Sequence, residues 1–268
     1  MKRNPLVSVL INNYNKEKYC LNSVKSVLNQ SYQNFEIIFF DDCSNDNSIK
    51  KLKNQKNFSN KIKLILNKKR GKIFSFNQIN SIKRSVNKSK GEIICFLDSD
   101  DFFKKNKLNK IVNFFKDNVD QDILFDIPIY YKNRYENSAD KAGNYFFRKN
   151  KWPKFPSTSC ISLRKKSFNV IDPKVFKKQF HELWFDFRVA TYFALKKKQF
   201  NVINENLTYY RQYDLSYDKK YKKYLNSSWW KRRNEAFEFV DYICGKKFSK
   251  SHTRGLDFFL TKLVNFFL

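Results

Sequence analysis

The stretch 93–101, IICFLDSDD, places five apolar residues directly before four polar ones. A short apolar run of this kind, bounded by turn residues, is typical of a strand that is buried on both faces. Three earlier runs have the same character, and apolar residues at helical spacing lie between them. The predicted strands are Leu6–Ile11, Phe35–Phe40, Ile62–Leu66 and Ile93–Leu97. This alternation predicts an α/β fold with a mainly parallel, doubly wound sheet flanked by helices.

Helical spacing predicts four helices beside these strands, at Tyr19–Leu28, Ser44–Lys53, Ile73–Val86 and Leu108–Phe115. Ser44 or Asn45 is the expected N-cap of the second helix. Beyond residue 120 the pattern is less regular. There we expect strands or extended segments at Ile123–Tyr131, Ser159–Leu163 and Leu207–Tyr213, a helix at Leu183–Leu195, and mostly helices from Tyr221 onward.

Polar residues follow three of the predicted strands at the point where each strand ends. These segments are Asn12–Asn15, Asp41–Asp42 and Asp98–Asp101. Because the carboxyl ends of parallel strands meet at one edge of an α/β sheet, ligands bind there. The sequence therefore predicts one binding site built from these three segments.

Asp98 and Asp100 have the spacing of ligands for a hard divalent cation such as Mg²⁺ or Mn²⁺. Such a cation bridges the phosphates of a nucleoside diphosphate and neutralises charge as that group leaves. The alternative is an Asp-rich turn or helix cap, which an isolated Asp-x-Asp would favour. Their position directly after a buried strand favours the metal site. The segment Asp41–Asp46 has the same two interpretations, a capped turn or a contact with a base or ribose.

Glu182 and Asp186 lie four residues apart and would share one face of a helix. A carboxylate opposite the metal site is suited to act as a general base that takes the proton of an acceptor hydroxyl. The alternative interpretation is the start of an ordinary amphipathic helix, and by itself this stretch favours it.

The chain carries a formal net charge of +29 and five well-separated cysteines. Nucleic acid, an anionic membrane surface and a phosphate-rich substrate are the partners that such a charge suits. The lysines are scattered, however, and heavy use of Lys, Asn, Ile and Phe also fits A/T-rich codons. The odd cysteine count excludes a complete set of internal disulfides. With no signal-peptide core or spanning run, we expect a cytoplasmic protein.

The C-terminal stretch Leu256–Leu268 places six large apolar residues on one helical stripe, behind the basic residues Lys246, Lys247, Lys250 and Arg254. An amphipathic segment of this kind suits the surface of an anionic membrane. A helix packed on the domain, or a homodimer contact, is the alternative and the more common use of such a stripe.

Several motifs occur in the order that is found in one enzyme family. They are VSVLINNYN at 7–15, LNQSYQNFEII at 28–38, DDCSND at 41–46, KGEIICFLDSDD at 90–101 and, more weakly, HELWFDFR at 181–188 and YRQY at 210–213. Together they resemble the family 2 glycosyltransferases of GT-A fold. The resemblance is dense over the first 115 residues and patchy to about residue 215.

The resemblance implies a donor site for a nucleotide-sugar, with Asn12 and Tyr14 at the base and Tyr14 stacking on it. It also implies a hydrogen bond from Asp42 to the base, typically uracil. Asp98 would lie near the ribose and Asp100 would bind Mn²⁺ or Mg²⁺.

Glu182 matches the catalytic base of the family, although His181 stands where an acid is common, so Asp186 remains the second candidate. Tyr213 stands where many members carry a His. If that His helps to bind metal or diphosphate, its role is either lost here or passes to Arg211. Lys72 is another candidate for a phosphate contact.

The implied organisation is a GT-A domain over 1–215, with nucleotide-sugar binding at 1–115 and an acceptor-binding half at 116–215, followed by a helical C-terminal extension at 216–268. The implied activity is a metal-dependent, inverting, hexosyltransferase-like reaction. It would move sugar from a UDP-sugar to a saccharide or lipid-linked glycan during synthesis of a surface polysaccharide. The alternatives are a catalytically degenerate GT-A scaffold and a basic nucleic-acid-binding protein, although no nucleic-acid recognition motif is present.

Overall fold

The computed structural model describes residues 4–54, 60–132, 135–139, 141, 144–145, 153–171, 173–212, 226–245 and 255–268. Tyr213, Tyr221 and the four basic residues before the C-terminal stripe lie outside the described residues.

The first half of the chain alternates strands and helices as expected. Its elements are β1 (Val7–Asn13), α1 (Cys20–Leu28), β2 (Phe35–Asp41), α2 (Ser48–Lys53), β3 (Ile62–Leu66), α3 (Phe74–Lys88), β4 (Ile93–Asp98), β5 (Phe102–Phe103) and α4 (Lys107–Asp117). The second half contains β6 (Ile123–Lys132), β7 (Tyr135–Ala139), β8 (Ile161–Arg164), α5 (Lys165–Asn169), α6 (Phe185–Tyr192), β9 (Val202–Arg211), α7 (Ser227–Cys244) and α8 (Leu256–Phe266).

The described strands form one sheet in the order β3-β2-β1-β4-β8-β6-β9-β5, with β7 paired to β6. Strands β3, β2, β1 and β4 are parallel, whereas β8 runs antiparallel to both β4 and β6. The α/β class is thus confirmed; the four adjacent parallel strands lie in the first half of the sheet, and β6 and β9 form a further parallel pair in the second half.

Both faces of the parallel strands are covered, which explains their unbroken apolar runs. Leu10 and Phe96 face a core shared with α3, α6 and α7, while Val9 and Leu97 face a core shared with α1 and α4. Because successive side chains of a strand point to opposite faces, a strand covered on both sides needs apolar residues at every position.

Two sequence-based boundaries are wrong, for reasons the structure makes clear. The helix expected from Ser44 begins at Ser48, because the Ser44 hydroxyl donates to Asp41 (2.7 Å) and accepts from the Asn15 N–H (2.9 Å). A carboxylate oxygen of Asp46 accepts from the Ser48 N–H instead (2.9 Å). The helix expected over Leu183–Leu195 becomes α6 followed by a π-helical turn over Phe193–Lys197.

The two C-terminal helices pack differently. Helix α7 inserts Phe239 against Phe180, with ring centroids 5.2 Å apart, and so belongs to the core of the sheet. Helix α8 packs on α7 through Phe237 and Phe258, at 5.1 Å, and buries Thr261. Among the helices that the structure describes, none combines the length and apolar character needed to cross a bilayer.

Candidate active site

A cavity of about 540 Å³ opens at the carboxyl ends of β1, β2 and β4. Seven of the eight residues that the sequence selects for the site line it, namely Asn12, Tyr14, Asp42, Asp98, Asp100, Asp186 and Arg211. Glu182 is not among the lining residues. The predicted edge of the sheet is therefore where the structure brings these side chains together.

The register of the sheet explains how residues distant in sequence meet. Asn12 at the end of β1 lies beside Asp98 at the end of β4. The side-chain oxygen of Asn12, Oδ1, accepts a hydrogen bond from the Ser81 hydroxyl (2.9 Å). The Nδ2 atom of the same side chain is buried and has no acceptor among the described residues. A buried donor without a partner costs free energy, so this N–H₂ group is suited to a ligand acceptor in the cavity.

Asp42 is held by two donors from the segment after β3. Asn67 donates to one carboxylate oxygen and Arg70 to the other, both at 2.8 Å. The Arg70 guanidinium also lies 3.6 Å from the Tyr14 ring centroid and 4.5 Å from that of Phe74. The result is a flat, aromatic and polar surface of the kind on which a nucleobase stacks.

The loop after β4 is tied to the second half of the chain. The Ser159 hydroxyl donates to Asp101 (2.6 Å) and accepts from the Asp98 N–H (3.0 Å). The Arg211 backbone N–H donates to Asp101 (2.8 Å), and Arg211 Nε donates to the backbone oxygen of Asp100 (2.8 Å). Asp101 is thus a structural anchor that presents Asp98 and Asp100 to the cavity.

Burial, together with the neighbouring Asp100 and Asp186 carboxylates, raises the pKa of Asp98 to about 7. Lys16 acts in the opposite direction. Lys16 Nζ lies 2.6 Å from Asp100 Oδ2. The site is therefore a crowded group of carboxylates whose charge favours a cation.

The structure separates the two candidates for the general base. Asp186 lies in the first turn of α6, accepts from the Phe187 N–H (2.7 Å) and faces the cavity close enough to affect Asp98. The Glu182 N–H instead donates to Glu235 of α7 (2.7 Å), and the charge of Glu182 raises the pKa of Glu235.

The turn that carries Glu182 is fixed from behind by a buried arginine. The Arg188 guanidinium donates to four backbone oxygens, those of Val175, Lys177, Phe180 and Leu183. Arg188 is fully buried, and burial lowers its pKa to about 10, while Glu235 opposes that change. Arg188 is therefore a structural residue that shapes the loop preceding α6.

Comparison with known proteins agrees with this geometry. The model of the family described as glycosyl transferase family 2 matches residues 8–184. The chain belongs to glycosyl transferase family 2.

The curated relatives of this family 2 protein match about half of the chain. It is 34% identical over 145 residues to the minor teichoic acid biosynthesis protein GgaA of Bacillus subtilis, covering 53% of this chain and 31% of that one. It is 39% identical over 119 residues to an uncharacterized glycosyltransferase of Haemophilus influenzae, covering 42% and 44%. The matched segments span less than half the length of these relatives.

Solved structures extend the likeness of the fold to most of the chain. TarS of S. aureus, residues 1–349 in complex with UDP, superimposes with a TM-score of 0.61 at 15% identity, over 88% of this chain and 65% of that one. The expected GT-A fold of this family 2 protein, with its C-terminal helices, is confirmed.

The carboxylates of this family 2 site fit a divalent cation that is shared with a ligand. Asp98 and Asp100 offer hard oxygen donors, and within the described ranges no group of three or more His, Cys, Asp or Glu is arranged to hold a metal by itself. Mg²⁺ commonly binds one or two carboxylates and completes its shell with phosphates and water. The residues present suit that mode of binding.

Sequence reasoning missed several residues that line the cavity, among them Lys16, Phe74, Trp184 and Arg232. Arg70 was noted only as part of a loop pattern, although it pairs with Asp42. None of these lies at the end of a predicted strand, so no pattern singled them out. Lys72 is exposed and is not among the lining residues.

Proposed function

We propose that this family 2 protein transfers a sugar, with inversion, from a UDP-sugar to a hydroxyl group of a saccharide or lipid-linked glycan. The observation that carries the proposal is the single cavity that joins a base-binding surface at Tyr14 and Asp42 to the carboxylates Asp98, Asp100 and Asp186. A nucleoside diphosphate sugar needs a stacking surface, a cation for its phosphates and a base for the acceptor.

The base-binding surface supports a pyrimidine nucleotide. Tyr14 and Phe74 offer aromatic faces beside the Arg70 guanidinium. The Asn12 Nδ2 group is a buried donor that suits a carbonyl acceptor, and Asp42 is an acceptor for a base N–H. Uracil presents both carbonyl oxygens and an N–H.

The reaction needs one proton acceptor on the side opposite the leaving group. Asp186 takes the proton of the acceptor hydroxyl as that oxygen bonds to the anomeric carbon, and the bond from that carbon to the diphosphate oxygen breaks. A single displacement of this kind inverts the anomeric configuration. Asp98 and Asp100 would hold Mn²⁺ or Mg²⁺, which offsets the charge that develops on the leaving diphosphate.

The relatives support the donor and the pathway class. TarS has been crystallised with UDP and with UDP-GlcNAc. GgaA is named for the biosynthesis of a teichoic acid, which supports an acceptor in a surface polysaccharide.

The donor site is tested by thermal unfolding with UDP, with and without Mn²⁺. A ligand at about a hundred times its dissociation constant adds roughly 2.7 kcal/mol to the free energy of unfolding. We expect a UDP-dependent rise in Tm that needs Mn²⁺ and is lost in Asp100→Asn. Asp117→Asn, which removes an exposed carboxylate of α4, is the matched control and should keep the rise.

Absence of any shift with UDP, GDP, CDP or dTDP in the presence of Mn²⁺ would contradict the proposal. The two alternatives would then be a catalytically degenerate GT-A scaffold and a basic nucleic-acid-binding protein. A salt-dependent gel shift with nucleic acid would identify the second.

We further propose that α8 rests on the anionic inner surface of the cell membrane, where lipid-linked acceptors are found. The exposed large apolar residues of this C-terminal segment are Leu256, Phe259, Leu260, Leu263, Phe266, Phe267 and Leu268. Exposed fractions of 64% for Phe259 and 83% for Phe266 leave this stripe without cover within the described chain. Net positive charge favours an anionic lipid surface.

Flotation with phosphatidylglycerol vesicles tests this second proposal. The intact protein should float, and Phe259→Ser with Phe266→Ser should not, while Val119→Ser removes an exposed apolar side chain elsewhere and should have no effect. A protein that elutes as a homodimer, loses that state in the double variant and never floats would assign the stripe to a dimer contact.

A further inference from the structure

Lys16 forms an ion pair with Asp100, the carboxylate that we propose as a ligand of the divalent cation. Its Nζ atom is 2.6 Å from Oδ2 of Asp100, and the two side chains are only 25% and 17% exposed. Lys16 belongs to the loop after β1 and Asp100 to the loop after β4, and both line the cavity. The parallel pairing of β1 with β4 sets these loops side by side.

The other groups at this position are mostly acidic. Asp98 and Asp186 line the same cavity. The Asp100 and Asp186 carboxylates lie close enough to act on Asp98, and the Lys16 charge acts in the opposite direction. Arg211 lies nearby, but its Nε atom is bound to the backbone oxygen of Asp100 rather than to the carboxylate. Lys16 is thus a cation in direct contact with the Asp100 carboxylate.

An ammonium group at this distance occupies the oxygen that a divalent cation would use. The two positive charges repel one another, so the cation binds Asp100 well only when Lys16 has moved. A diphosphate in the same cavity offers Lys16 an alternative anionic partner.

We propose that Lys16 is a displaceable counter-ion of the metal site: it holds Asp100 while the donor is absent and moves to the donor diphosphate as the divalent cation takes its place. This inference rests on the proposed donor site. It makes the binding of the cation and of the nucleotide mutually dependent, because each removes the obstacle to the other. Positive coupling of this kind weakens the binding of a cation in the absence of substrate.

The test measures Mn²⁺ binding by electron paramagnetic resonance, with and without UDP, for the wild-type protein and Lys16→Met. Removing the competing charge should tighten the binding of Mn²⁺ alone by about tenfold, within the usual range of couplings between sites. The ratio of the Mn²⁺ dissociation constants without and with UDP should fall by a similar factor. Lys16→Arg keeps the charge and should retain weak binding of Mn²⁺ alone.

Lys25→Met removes one exposed positive charge from α1 and controls for the change in net charge. It should leave both dissociation constants within about twofold of wild type. Equal or weaker binding of Mn²⁺ alone in Lys16→Met, with UDP binding intact by calorimetry, would overturn the role of Lys16. Failure of every form to bind UDP would overturn the donor site as well, so the two failures are distinguishable. Should Lys16→Met not fold, Lys16→Gln serves the same comparison.

Discussion

The two walls of the cavity are built on different principles. The donor wall, defined as residues 12–16, 41–46 and 98–101, consists of the segments that follow three parallel strands. The acceptor wall, defined as residues 181–188 with α7, consists of a loop and two helices that are held by Arg188 and Glu235. The register of a sheet fixes the donor wall, whereas buried polar contacts between distant segments fix the acceptor wall.

This difference indicates which substitutions should affect ligand binding and which should affect stability. On the donor wall, the side chains that face the cavity, such as Asp100, differ from those that anchor the loops, such as Asp101, so substitution of a cavity-facing side chain should act mainly on the ligand. On the acceptor wall, Asp186 faces the cavity, whereas Arg188 and Glu235 lie behind it. Substitution of Asp186 should therefore affect catalysis, and substitution of Arg188 or Glu235 should affect stability.

The largest expected effect separates the two carboxylates of the acceptor wall. Asp186→Asn should lower kcat by roughly 10²- to 10⁴-fold, because a general base contributes that much, while the affinity for UDP changes little. Glu182→Gln is the matched variant and should keep most of the activity. The rate of UDP release from a UDP-sugar that the wild-type enzyme uses measures the activity of both variants. A greater loss in Glu182→Gln would restore Glu182 as the base and break the proposed assignment.

The second effect concerns stability. Arg188→Met should lower the free energy of unfolding by about 3–5 kcal/mol, because it leaves four backbone oxygens without their charged donor. Urea denaturation measures it. Lys178→Met removes an exposed charge from the same loop and should change stability by less than about 0.5 kcal/mol. Equal stabilities of the two variants would contradict the view that buried contacts shape the acceptor wall.

The third effect concerns Arg70, which contacts Asp42 and Tyr14 of the donor wall. Arg70→Ala should weaken UDP binding by roughly ten- to a hundredfold, since it removes both the partner of Asp42 and the cation stacked on Tyr14. Calorimetry with UDP measures the loss, and Tm without ligand should stay close to wild type. Lys72→Met, two residues along the chain, should bind UDP normally. A large loss in Lys72→Met would instead support its predicted phosphate contact.

The smallest effect is a pH dependence. Burial raises the pKa of Glu235 to about 7 from an ordinary value of 4.5, so the folded protein binds the proton more tightly than the unfolded chain. The contribution of this group to stability is full below about pH 4.5 and is lost as the pH rises to 7. Glu235→Gln cannot ionise and still offers an acceptor to the Glu182 N–H. The difference in Tm between Glu235→Gln and wild type should therefore shift in favour of the variant as the pH rises from 4.5 to 7, and then stay constant. A difference that does not change with pH would contradict the raised pKa of Glu235.

The sequence by itself determined the α/β class, the four parallel strands and the donor wall. Buried strands have unbroken apolar runs, and ligand groups of such sheets directly follow them, so that Asp42, Asp98 and Asp100 could be selected from local patterns alone. The family resemblance added the roles that chemistry alone left open.

Only the tertiary structure decided which acidic residue of the 181–188 segment faces the cavity and which cations accompany the carboxylates. Helical spacing gives Glu182 and Asp186 the same face, but the helix begins at Phe185, so the two residues do not share it. Lys16, Arg70 and Arg232 reach the cavity through loops and a distant helix. Their positions depend on contacts between segments far apart in the chain, and no periodicity in the sequence records such contacts.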